Sequence, residues 1–388
     1  LDAKELPPAN PAAKPGAARR VFAIAALAAF ALSLTYAQSA NITSFYLHRQ
    51  DRWLLLLGFA ALGLCGYRLT ARAQLPAVTT KAVLAAAAVL LAITLLGHDL
   101  LLAAYDRSRD EQMASFDAAV FAGGHLVARL PALWGDHAGV LNDSFMYPAE
   151  QRSAWISSYL PLNAAMRALL GTLATPALAG PLMTALGALA LWGCVRRIWP
   201  QDTEVVTVAL VLYAGSAQVL VTGMTSYAMP AHLALNLCWL WLFLRGSWRC
   251  DLAALGVGFV ATGLHQPLMH PMFAAPSLFL LVRYRRWDRA ALYFAGYAAI
   301  GAFWLWWPNL IWQMVQADPA ALRPAGVDFM TRMAQVLGKG DPLGLPNMVS
   351  NLLRMIAWQH LLLVPLALIG ARVARKAPLA GALAGGRS

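Results

Sequence analysis

The stretch AVLAAAAVLLAITLLGHDLLLAA, residues 82–104, runs directly into YDRSRDEQMASFDAAVFAGGHL, residues 105–126. The first half is apolar and close to the roughly 20 residues that cross about 30 Å of hydrocarbon. The second half brings Asp110 and Glu111 as soon as the apolar run ends. A charged side chain at mid-membrane costs about 2.5–3.5 kcal/mol. An acidic pair set at a membrane exit therefore marks a site at the interface.

Working outward, the whole chain of 388 residues has the same character. Hydrophobic residues make up 60% of it and charged ones 12%, and the mean hydropathy is +0.56. Soluble domains carry about 25% charge, so the composition predicts an all-α polytopic membrane protein. The net charge of +12 does not imply a nucleic-acid partner, because Lys and Arg fall in short loops between apolar runs. There they act as topology signals rather than as a phosphate-binding stripe. Cys65, Cys194, Cys238 and Cys250 have neither metal-ligand nor disulfide-framework spacing.

Residues 1–20, rich in Pro and Ala with Lys14, Arg19 and Arg20, predict a disordered basic tail. Ten apolar segments follow, at 21–38, 53–70, 82–104, 179–195, 204–222, 229–245, 251–265, 267–283, 289–308 and 352–371. The first also fits a signal peptide, with AQSA after it, or an uncleaved anchor. Basic residues crowd alternate loops: Arg68, Arg72 and Lys81; Arg196 and Arg197; Arg245 and Arg249; Arg283, Arg285, Arg286 and Arg289; Arg372, Arg375 and Lys376. The positive-inside rule then places both termini in the cytoplasm. Loops 105–178 and 309–350 fall on the opposite face, and long loops are where function concentrates.

Within the first of these loops, Asp110, Ala114, Asp117 and Phe121 recur at helical spacing, and Gly123-Gly124 closes the run. This predicts an amphipathic interfacial helix. The plainer alternative is a surface helix whose acids face water beside Arg107 and Arg109. Tyr147, Trp155 and Tyr159 follow; such residues form membrane-interface belts, and their faces also stack on sugar rings. The turn LHQPLMHP carries His265 and His270 without HExxH geometry, so no metal site is assigned. Hydrogen bonding to a phosphate or a loop carboxylate is their alternative to simple interfacial histidines. TGMTSYAMP, with Ser226, Tyr227 and His232, faces the same way and is placed to close the same cavity. In loop 309–350, Arg323 and Arg332 match a phosphate with their guanidinium forks, or else belong to a solvated amphipathic loop.

A membrane helix, then Asp110-Glu111, Asp117 and Phe121-Ala122-Gly123-Gly124-His125-Leu126 resembles the C-type polyprenyl-phosphate-dependent glycosyltransferases, the GT-C fold. The nearest likeness is to bacterial relatives of the dolichyl-phosphate-mannose protein mannosyltransferases. The run ending Trp192 to Pro200 and the SYAMP turn add to the resemblance, which covers roughly residues 82–310. It implies a GT-C-like bundle of about ten transmembrane helices, with residues 21–81 as two extra N-terminal helices. Residues 311–388 then supply a further loop, the last helix and a cytoplasmic tail.

By the same resemblance Asp110 and its neighbour Glu111 are the catalytic pair, Asp110 as base, with Glu111 or Asp117 positioning the acceptor or a cation. Tyr147, Trp155, Tyr159, Tyr227, His265, His270, Arg323 and Arg332 are candidate substrate contacts. The implied partners are a polyprenyl-phosphate-linked sugar, the bilayer, and a glycan, lipid or protein acceptor. A divalent cation is compatible with the family but not required by it. The implied location is a bacterial inner membrane, with the site on the periplasmic face. The rival classes are a polytopic transporter or lipid flippase, and a non-catalytic subunit of the same fold. A carrier places ionisable groups at mid-membrane, whereas the predicted spans are nearly free of charge.

Overall fold

The computed structural model describes residues 78–137, 145–146 and 154–314. All of them belong to one compact unit. The apolar segments at 21–38, 53–70 and 352–371 lie outside the described residues, as do Tyr147, Arg323 and Arg332.

The described residues are mostly helical. In chain order the helices are α1 (Thr80–Leu100), α2 (Arg109–Ala122), α3 (Ala132–Asp136), α4 (Leu162–Leu173), α5 (Ala179–Ile198), α6 (Thr203–Ala214) and α7 (Ala217–Gly223). They continue with α8 (Met229–Arg245), α9 (Trp248–Thr262), α10 (Met269–Arg283) and α11 (Trp287–Met314). The one small sheet among the described residues pairs β1 (Ala128–Arg129) with β2 (Ala154–Trp155), antiparallel, with Ala128 opposite Trp155.

Among the described residues, three helices are long and apolar enough to cross a membrane: Thr80–Leu100, Pro176–Ile198 and Trp287–Ile311. On α1, Leu84, Val89, Ile93, Leu96 and Leu100 are exposed, and on α11 Phe294, Leu305 and Trp306 are too. Such stripes are compatible with an all-helical membrane protein, whose solvent on those faces is lipid.

The other predicted spans differ in detail. Segment 204–222 is not one straight helix: α6 and α7 bend by 54° where they meet. Gly215 caps α6, and the Ser216 hydroxyl accepts the Val219 N–H to start α7. An unbroken apolar pattern hid this cap signal. α8, α9 and α10 have 17, 15 and 15 residues, and at about 1.5 Å per residue a 15-residue helix is only about 22 Å long. α1 stops at Leu100, and Ala103 and Ala104 turn the chain with φ of 56° and 50°.

Caps explain the tight α8–α9 connection. Gly246 adopts a left-handed φ of 70°, which costs glycine little, and the Ser247 hydroxyl accepts the Cys250 N–H. Trp239, Phe243, Leu278, Leu281 and Tyr293 then fill the core between α8, α10 and α11. Trp239 stacks on Phe243 at 5.1 Å between centroids. Elsewhere α5 meets the α7 terminus so closely that a methyl on Gly180 would collide with the Gly223 carbonyl.

One ion pair is fully enclosed. Arg289, at the start of α11, donates through Nε and Nη2 to the two oxygens of Asp251 in the first turn of α9, at 2.8 and 2.6 Å. Tyr293 Oη donates to the same carboxylate at 2.9 Å, and Arg289 also donates to the Phe243 carbonyl at 2.8 Å. Arg289, read in the sequence as a loop charge, is thus a buried strut.

Candidate functional site

α2 begins at Ser108, whose hydroxyl caps the helix by accepting the Glu111 N–H. The first turn therefore carries Asp110 and Glu111 beside the positive end of the helix dipole, and the two side chains diverge. Asp110, Ala114 and Asp117, the face picked out by helical spacing, line a cavity of about 220 Å³. Glu111 is not among its lining residues. Its carboxylate is buried and accepts the Arg107 and Ser226 N–H groups at 3.2 and 3.1 Å. Glu111 and Asp117 are buried and Asp110 is half-buried; α2 packs by Ala118 and Phe121 against Ala164 and Ala168 of α4.

The opposite wall comes from the turn before α8. Asn163 Nδ2 donates to the Ser226 carbonyl at 3.1 Å, and Arg167 Nη2 donates to the Thr225 carbonyl at 2.8 Å. His98 contacts the Met224 carbonyl at 2.8 Å. With Glu111 holding the Ser226 N–H, four side chains from three helices fix this turn. Burial brings the Arg167 guanidinium down to about 10, against the fields of Asp106 and Glu111. Glu111→Gln leaves one buried backbone N–H facing an amide donor. It is expected to lower stability by about 1–3 kcal/mol, read as a lower Tm for the purified protein.

The third wall is the segment before α4. Leu160 N–H donates to the His265 carbonyl at 3.0 Å and Leu162 N–H to the Gly263 carbonyl at 2.9 Å. That pairing carries Tyr159 to the cavity, where its hydroxyl donates to Asp110 Oδ1. The Tyr159 ring lies 4.0 Å from the His265 ring and stacks on Phe145 at 5.5 Å, centroid to centroid. Burial raises the Tyr159 phenol, and the Asp110 hydrogen bond and charge push the same way, so its proton stays on. Burial also lowers His265, with the Asp110 charge opposing. This favours a neutral imidazole, suited to hydrogen bonding rather than to charge pairing.

Asp117 is the perturbed acid of the site. Burial raises its carboxyl from 3.8 to about 7, and a Ser157 hydrogen bond opposes the shift. The folded state therefore holds this proton more tightly than the unfolded chain does. The associated stability is complete below pH 4 and is lost as pH rises to about 7. Asp117→Asn, which keeps a neutral side chain at every pH, should match the wild-type Tm near pH 4. It should exceed it at pH 8; equal gains at both pH values would refute the assignment.

The remaining sequence candidates divide. Tyr227 lines the cavity, and its hydroxyl donates to Ser108 Oγ at 2.7 Å. Trp155 packs on Phe116, with 5.9 Å between ring centroids, and does not line it. His270 is fully buried elsewhere, bonded to Asn236 Oδ1 at 2.6 Å and Tyr297 Oη at 2.7 Å. It is a core histidine, placed second in α10 and bonded to α8 and α11. Asn163, His232 and Gln266 line the cavity as well. Of these, Asn163 and Gln266 had no signal in the sequence as site residues; only folding α4 against the two turns brings them in. Among the described residues no three His, Cys, Asp or Glu side chains converge as a metal site, and Cys194, Cys238 and Cys250 are free thiols. Compared with family models, curated proteins and solved structures, the chain matches none.

Proposed function

We propose that the protein is an integral membrane glycosyltransferase. It moves a sugar from a polyprenyl-phosphate donor to an acceptor hydroxyl at the periplasmic face of a bacterial inner membrane. The observation that carries this reading is the cavity beside the N-terminus of α2. There the Asp110 carboxylate is held by Tyr159, and Asp117 lies on the same helix face two turns on. The position of α2, immediately after the apolar helix α1, adds weight: a lipid-borne donor arrives at such a boundary.

In this mechanism Tyr159 fixes Asp110 Oδ1 and leaves the second oxygen for the acceptor. That oxygen takes the acceptor's hydroxyl proton as the acceptor oxygen attacks the anomeric carbon. The bond from the anomeric carbon to phosphate breaks, its electron pair leaves on the polyprenyl phosphate, and the configuration inverts. Asp117 shapes the acceptor side of the cavity, and Arg323 and Arg332, outside the described residues, are the candidates for the phosphate. The test is transfer of radiolabelled sugar from a panel of polyprenyl-phosphate sugars in membranes holding wild type or Asp110→Asn. Transfer by the wild type alone, at equal protein level, supports the reading. No transfer from any donor turns attention to a carrier or a non-catalytic subunit.

A further inference from the structure

Most polar groups lining the cavity are already committed to neighbours. Tyr159 Oη donates to Asp110, Tyr227 Oη to Ser108, and Ser115 Oγ to Ser226 Oγ at 3.4 Å. Asn163 is 6% exposed and spends its Nδ2 on the Ser226 carbonyl. Its Oδ1 is buried without a partner among the described residues, and so are both ring nitrogens of His232. Buried polar atoms without partners are rare and costly, so two residues that carry them and line one cavity call for an explanation.

The chemistry of the leftover groups is specific. Asn163 Oδ1 can only accept, while a neutral imidazole offers one N–H and one lone pair. A hydroxyl donates and accepts at once, so hydroxyl groups suit both residues. Among the described residues Asp110 and Asp117 line the cavity and no Lys or Arg does, so this part of the wall offers a phosphate no charge partner. An ammonium group has no lone pair for the imidazole N–H. Ala114, Ala164 and Leu264 supply apolar wall, which suits the C–H face of a sugar ring.

We infer that Asn163 and His232 form a hydroxyl-reading subsite that binds a neutral hexose and sets sugar specificity. The choice of a hexose rests on the transferase reading, whereas the subsite rests on the unpartnered atoms.

The experiment measures binding rather than turnover. The whole protein in lipid nanodiscs is titrated with D-mannose, D-glucose and D-galactose and with their monodeoxy analogues, read by saturation-transfer NMR. The wild type should favour one hexose and lose about tenfold in affinity for one deoxy analogue, the size of a single neutral hydrogen bond. His232→Phe should bind hexose and analogue equally, while His232→Gln, which keeps a donor and an acceptor, should retain the preference. Asn163→Ala should behave like His232→Phe. The bond from Asn163 to Ser226 makes His232 the safer site if that variant fails to fold. Absence of hexose binding by the wild type, or discrimination surviving in His232→Phe, overturns the subsite. Selective binding without transfer from any lipid-linked donor would leave the subsite standing and remove the transferase reading instead.

Discussion

Asp110→Asn is expected to cut sugar transfer by about 10²–10⁴-fold, the usual worth of general-base help, with the Tm nearly unchanged. The substitution keeps the shape of the side chain and an oxygen for the Tyr159 hydroxyl. What it removes is the proton acceptor, so the loss should appear in kcat more than in KM. Loss of the charge beside the α2 dipole costs only about 0.3–1 kcal/mol, too little to unfold the protein. Tyr159→Phe is the informative companion. It leaves the base in place but frees its orientation, and a smaller loss than that of Asp110→Asn is expected. Full transfer by Asp110→Asn would dismiss Asp110 as base.

Asp251→Ala should be the most destabilising single change proposed here, at about 3–5 kcal/mol, because it strands a buried guanidinium. Asp251 is 1% and Arg289 6% exposed, and the Tyr293 hydroxyl would lose its acceptor too. The measurement is the Tm of the purified protein, and the yield of folded protein should fall with it. Replacing both charges, as in Asp251→Leu with Arg289→Met, should recover much of the loss, since paired removal leaves no uncompensated charge. A double variant no more stable than Asp251→Ala would show that the pair supplies stability of its own. Neither residue lines the cavity, so transfer per folded molecule should hold.

Much of the site was legible because helical spacing is local. Asp110, Ala114 and Asp117 share a face whatever surrounds them, and the cavity lies on that face. The SYA turn and Tyr159 were likewise recognisable by residue type. Asp110 and Glu111 part because adjacent helix positions point about 100° apart: Asp110 meets the cavity while its neighbour turns to the Ser226 backbone. His270, five residues from His265 in sequence, does not line the cavity that His265 lines.

The amino-acid sequence by itself determined the helical character and the apolar helix that runs into an acidic boundary. Each follows from composition or from contacts within one turn of chain. Only the tertiary structure decided which polar groups meet across it. Asp251 finds Arg289 across 38 positions, Glu111 finds Ser226 across 115, and Tyr159 finds Asp110 across 49. Such pairings depend on how helices of similar apolar surface pack, and that surface gives the sequence no address for a distant partner. The unpartnered atoms of Asn163 and His232 belong to the same category: a polar group is left over only after every neighbour has been placed.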